Sequence, residues 1–306
     1  MPTRYLDLLS DHDLQLLAAA SNIVEPASAI SAFRARPTLI VEALESPTTY
    51  PSLTRDSTMM MGVVADQSPA LAEPVDVRIE PSALLVFSAI VHHCCVAITT
   101  ASFRAERIGK RVFLPYVANH EFVDFASQSA NRLFLIELLG SYARSLTGEA
   151  TTPDVHELPI STLDPVALGR ALQTVDQRER VGIYRRLGDL ALFRSGVLGE
   201  DPNHLLSLAD AHELTLSLPD TVRRCVDADI MARHLSNGSM NDACRELGPI
   251  WYRAAASLNP WESLSQPIRS VADNFDTARL VLRRLARTEL LDDQQSNIFP
   301  NCALIP

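Results

Sequence analysis

The sequence predicts an all-α protein: a multi-helix bundle or orthogonal array around one central apolar helix, with at most one small β-hairpin. Three observations carry that expectation. The run Pro81–Thr99, PSALLVFSAIVHHCCVAIT, is apolar at nearly every helical angle, so it is stable as a helix only if other helices surround it. Helix-start signals, Ser, Asp or Asn caps and prolines placed for a first turn, recur along the chain. Neither a fixed-period repeat nor an alternation of strands and helices competes with them.

Taken in order, Ser10 or Asp11 caps a first helix through Ala20, and Pro37 starts a second, TLIVEALES, that stops before Pro47. From Ser46 to Glu80 the pattern breaks into a loop with a methionine cluster at Met59, Met60 and Met61. There the alternation Val75, Val77, Ile79 can pair with residues 59–64 as a hairpin. After the central helix, Arg111–Pro115 is too short to assign. Asn119 caps HEFVDFAS, and Ser129 opens a second strongly apolar helix, ANRLFLIELLGSYARS. Asp164-Pro165 is an N-cap and first-turn pair. Asp176 and Glu179 have capping-box spacing for a helix that Gly196 should end. Pro219 starts a helix through His234, closed by Asn237-Gly238. Ser239 and Asp242 open the next, which Pro249 should kink or break, and a last helix runs from about Pro267 to Leu291. The expected division is residues 1–80 packing on the core, 81–297 as the main domain, and an apolar tail, 298–306, that docks in a groove.

Composition excludes several functions. A formal net charge of -10 opposes a nucleic-acid backbone. Lys110 is the sole lysine and Arg111 follows it, so no G-x-x-x-x-G-K-[ST] phosphate loop exists. H-E-x-x-H, E-x-x-H, G-x-S-x-G and G-x-G-x-x-G are absent as well, and no cofactor is implied. Five cysteines, an odd number without C-x-x-C spacing, fit a reduced, cytoplasmic setting. The amino terminus lacks a secretory pattern. The Ala83–Ile98 run rises only about 24 Å as a helix against a hydrocarbon core of about 30 Å, so it is expected to be buried in protein rather than lipid.

The chemistry-bearing residues follow from helical geometry. Ser88, His92, Cys95 and Thr99 are spaced 4-3-4, which places them along one face of the central helix, while His93 and Cys94 point elsewhere. A polar stripe inside a core needs partners or a cavity. His92 and Cys95 alone share a face, two ligands short of a zinc site, so no metal is assigned. Glu137 sits in LFLIELLG, where a carboxylate is either ion-paired or prepared for acid-base work. Arg144, seven residues on, and Arg132, Arg185 or Arg186 are the partners considered. Asp189 in RRLGDLALF carries the same ambiguity. Trp251, Tyr252 and Arg253, after Pro249, are read as a groove for a planar ligand or peptide, with interhelical packing as the other reading.

At YRRLGDLALFRSGV, ANRLFLIELLGSYAR, IWYRAAAS and FDTARLVLRRLA the chain resembles a set of uncharacterised, mostly helical actinobacterial proteins of about this length. The resemblance covers most of the chain from about Pro81 onward. It implies a shared fold and a bacterial, cytosolic origin, and no activity or cofactor.

Two functions are carried forward. One is a non-catalytic cytosolic helical module that binds a partner protein, including a second copy as a homodimer, or a small effector in an interhelical pocket. The other is an enzyme of unrecognised class with a buried His/Cys/Glu site. A large enclosed pocket touching His92, Cys95 and Glu137 favours the second, and a packed, dry core with an exposed apolar groove favours the first.

Overall fold

The structure, a computed structural model, describes residues 2–54, 81–100, 104–108, 112–116, 120–146, 164–198, 205–259 and 262–290. It is an all-α, multi-helix fold whose chain divides into two compact units, Met1–Ala150 with Arg287–Pro306, and Thr151–Ala286. The lines drawn from sequence fall elsewhere: helices on both sides of 80/81 pack together in unit one. The expected hairpin over residues 59–79 and the tail 298–306 lie outside the described residues.

Unit one begins with α1 (Thr3–Leu8) and α2 (Asp11–Ser21). Ser10 and Asp13 form a full capping box on α2, and Asn22, at φ 56°, ends it in the left-handed region that Asn tolerates. The second oxygen of Asp13 accepts from the Ser82 N–H at 2.9 Å, so one buried carboxylate ties the start of α2 to the entry of the central helix. Next come α3 (Ala29–Ala35), α4 (Thr38–Leu44) and α5 (Thr49–Thr54). The sequence reading made 49–54 a loop. Its buried Thr49 and Leu53, and the stacking of Tyr50 on His93, hold it helical instead.

The central helix is α6 (Ala83–Thr100), which packs on α4, α5, α7 (His120–Ser127) and α8 (Ser129–Leu146). Gly140 permits the approach of α8, since a Cβ there would lie 2.6 Å from Leu84 Cδ1. With a mean hydropathy of 1.9, α6 is long and apolar enough to cross a membrane, a property shared by core helices, and 67% of it is buried inside the protein. Between α6 and α7 lies an antiparallel hairpin, β1 (Arg104–Ile108) with β2 (Val112–Tyr116), Arg104 opposite Tyr116. The strand left unassigned in the sequence is thus β2.

Unit two is built on the pairing of α10 (Gln177–Phe193) with α14 (Met240–Leu258). Glycines make that approach close: a Cβ at Gly188 would meet the Tyr252 ring at 2.5 Å, and one at Gly248 would lie 3.0 Å from Ala191 Cβ as well as 2.4 Å from Phe275 of a later helix. Asp164 caps α9 (Pro165–Ala171) through the Val166 N–H, as expected. Asp176 holds the cap position of α10 without a side-chain bond, so the expected box is not made. Nor does Gly196 stop the chain. It lies within a π turn, Arg194–Leu198, where its missing Cβ admits Leu282.

Other elements are α11 (Leu208–Leu216), α12 (Asp220–Arg223) and α13 (Ala228–Ser236). The single helix expected from Pro219 to His234 is therefore two, because Asp227 supplies a fresh N-cap to the amides of Asp229 and Ile230. The Ser239–Asp242 capping box opens α14 as predicted, but the helix continues through Pro249. Burial of Leu247, Gly248, Trp251 and Tyr252 on either side offsets the lost backbone bond. The final predicted helix is likewise two, α15 (Glu262–Asp273) and α16 (Phe275–Leu285), parted at Asn274.

Candidate functional site

The interior of α6 supplies the site. Ser88, His92 and Cys95 are buried on one face, His92 at 1% exposure, whereas His93 is half-buried and turned to Tyr50. The spacing placed Ser88, His92 and Cys95 correctly, but Cys94, expected to point elsewhere, is buried too, because the helix is covered on most sides. Thr99, also half-buried, returns its hydroxyl to the Cys95 and Val96 carbonyls, and Ser88 donates to the Leu84 carbonyl at 2.7 Å. Both are satisfied by their own helix.

His92 reaches other elements. Its Nε2 lies 2.8 Å from the Tyr5 hydroxyl on α1, and its Nδ1 lies 3.5 Å from Glu45 Oε1 at the end of α4. That second approach is not a formed hydrogen bond, and it becomes an ion pair only if His92 is protonated. Glu45 is held more firmly by Arg132 of α8, whose Nη1 donates to Oε1 while its Nε donates to the Ala126 carbonyl. The side chains form a series, Tyr5–His92–Glu45–Arg132, running from a buried phenol to an ion pair between an exposed carboxylate and a buried arginine.

The electrostatics are consistent along the series. Burial raises the Tyr5 hydroxyl far above its ordinary range, so it keeps its proton. With the ring proton on Nδ1, the nitrogen that faces the Glu45 carboxylate, Nε2 accepts from the Tyr5 hydroxyl. Burial lowers the His92 pKa, helped by the nearby Arg132 charge and opposed by Glu45. Glu45 is lowered by its contact with His92 and by Arg132, against the effect of its partial burial. The Cys95 thiol is pushed up to about 11 by burial, the opposite of an activated nucleophile.

Glu137 does not join this group. It is half-buried on α8 and pairs with Arg4 Nε of α1 at 3.2 Å, rather than with Arg132, Arg185 or Arg186. The flanking apolar residues face inward, and the carboxylate occupies the remaining angle. The Arg144 side chain lies outside the described residues.

In unit two Asp189 is buried and doubly held, by Arg185 Nε at 2.8 Å and by the Tyr252 hydroxyl at 2.9 Å. Trp251 and Tyr252 are 0% exposed and line no groove. The Trp251 indole donates to Ser217 Oγ at 3.1 Å. Arg253, about 100° further round the helix, is exposed and pairs with Asp273 at 3.2 Å. This corrects the groove expectation in favour of interhelical packing. Among the described residues, no group of three or more His, Cys, Asp or Glu side chains is placed to hold a metal ion.

Tyr5 and Glu45 were not singled out in the sequence, and Arg132 was considered only as a partner for Glu137. Tyr5 and His92 are 87 positions apart, and no local spacing links them. Compared with known protein families, curated proteins and solved structures, the chain matches none.

Proposed function

We propose that the chain is a non-catalytic helical module that binds a partner protein or a small effector in a bacterial cytosol. The observation that carries this reading is the set of large apolar side chains left outward in unit two: Leu205 at 67%, Leu208 at 56% and Ile230 at 61% exposure. Leu205 and Leu208 flank the N-cap of α11, and Ile230 stands on α13, against which α11 packs. Exposed leucine and isoleucine at one helix pair is the kind of surface partners cover. The net charge of -10 argues against nucleic acid as that partner.

The enzyme reading has one observation in its favour. Tyr5, His92 and Glu45 stand in the order of a reacting group, a base and an orienting carboxylate. Against it, Tyr5 is 2% exposed with a raised pKa, and Cys95 is raised too. A buried phenol that holds its proton suits structure better than chemistry.

The test is native mass spectrometry and co-purification of the full chain and of a Leu205→Ser/Leu208→Ser variant. A partner or effector retained by the parent and lost from the variant, at unchanged Tm, supports binding. Turnover of a substrate by the parent that His92→Gln abolishes would replace this reading with the enzyme.

A further inference from the structure

We propose that the Tyr5–His92 contact is an acid-sensitive latch, and that a second proton on His92 releases α1 from the core of unit one. The inference begins with how little else holds α1. It is six residues long, and Tyr5 is its one buried side chain, followed just beyond its end by Leu9. Among the described residues α1 also has the part-buried Leu6 and Leu8 and the Arg4–Glu137 pair, whose arginine is 53% exposed and therefore contributes little. A short helix anchored by one aromatic opens at low cost compared with a packed one.

The anchor is also chemically particular. In the tautomer whose proton sits on Nδ1, facing Glu45, Tyr5 donates to Nε2, and the contact then requires that nitrogen to be unprotonated. Adding a proton to Nε2 sets N–H against O–H. The phenol must then turn its hydrogen away, into surroundings where it is buried. Meanwhile a positive charge would arise on a side chain only 1% exposed.

Charged and titratable groups surround the ring from several elements. Tyr5 faces it from α1, Glu45 from the end of α4, Arg132 from α8, and Cys95 lies one turn on along α6. His93, its neighbour, stacks on Tyr50 of α5 instead. Among the described residues Glu45 is the one group that attracts an imidazolium here, and Arg132 already binds it. Burial and Arg132 together outweigh that attraction, which is why the His92 pKa lies below its ordinary 6.5. Undocking α1 removes the phenol from Nε2 and lets water reach the imidazolium, so protonation and release favour each other. The direction follows: the contribution of this contact is complete above pH 6.5 and is lost as pH falls through the lowered His92 value.

The experiment follows amide exchange of the peptide covering α1 in the full chain, corrected for intrinsic rates, between about pH 7.5 and about pH 5.5. The latch requires α1 exchange to rise about tenfold or more across that interval, with the α14 peptides unchanged. His92→Gln, which retains an acceptor for Tyr5 and cannot titrate, should abolish the step. A flat profile in the parent, or the same step in His92→Gln, overturns the proposal. Should the variant fail to fold, the parent alone decides, with its histidine rings isotopically labelled. Coincident midpoints for His92 titration and α1 release are required, and separated midpoints overturn the latch.

Discussion

The central helices of the two units solve the same problem, a polar group inside an apolar core, with different chemistry. In unit one, α6 is apolar all round, and its buried His92 looks to Tyr5 on a short terminal helix and to Glu45 at a helix end. In unit two, Tyr252 and Trp251 on α14 look to Asp189 and Ser217 on elements of the same packed unit. The unit-one group is a histidine whose pKa burial lowers, and its partner sits on a short terminal helix. In unit two the carboxylate is already matched, since Arg185 pairs with Asp189 at 2.8 Å. Equivalent burial therefore gives one responsive interior and one fixed interior.

The largest effect is expected from breaking the fixed interior. Trp251 is fully buried and bonded to Ser217, so Trp251→Ala should destabilise unit two by about 3–5 kcal/mol in chemical denaturation. Gly248→Val should approach that loss, because a side chain there must displace the Phe275 ring. If the α14 peptides exchange normally in either variant, the helix pairing is looser than the contacts imply.

Asp189→Ala comes next. Removal of a carboxylate takes away the acceptor of the buried Tyr252 hydroxyl, but Arg185 is 30% exposed and can turn to water, which limits the cost to about 1–3 kcal/mol. Asp189→Asn, which keeps an acceptor for Tyr252, should recover part of the loss. Equal losses would mean that the ion pair, not the phenol bond, carries the stability.

The comparison sharpens further with pH. His92 and Glu45 both have lowered folded pKa values, so unit one should lose stability as pH falls, first below His92's ordinary 6.5 and again below Glu45's 4.5. Alkali should affect both units. The buried thiols of Cys95 and Cys244, raised to about 11 and about 12, contribute stability that is full below pH 9.0 and lost as pH climbs through those values. Thermal melts resolved by peptide-level exchange would separate the units. An acid loss of equal size in both would break the contrast.

Much of this molecule was legible where the signal was local. The Ser10 and Ser239 boxes, the Asp164 cap and the inward face of α6 follow from side-chain spacing over three or four residues. What failed was the meaning of single breakers. Pro249 lies inside a helix because packing around it outweighs one lost bond, and Gly196 serves close approach rather than termination. The partners of His92 were not legible, because three elements far apart in sequence deliver them. Trp251 and Tyr252 likewise gained their roles only from what α10 and Ser217 present to them.

The smallest expected effect is at Glu137, whose apolar flanks suggested a deeply buried pair. In the fold it is half-buried, and its partner Arg4 is 53% exposed, so water already solvates much of both charges. Attraction between such groups is weakened by solvent and salt and is offset by the cost of ordering a long arginine. Glu137→Ala should therefore cost under about 1 kcal/mol in chemical denaturation, and less at high salt. Its more specific consequence falls on α1, which has few other ties: exchange of the α1 peptide should rise modestly at every pH, with the acid-dependent step intact. Loss of that step in Glu137→Ala would mean that the Arg4 pair, rather than the Tyr5 phenol on His92, determines when α1 leaves the core.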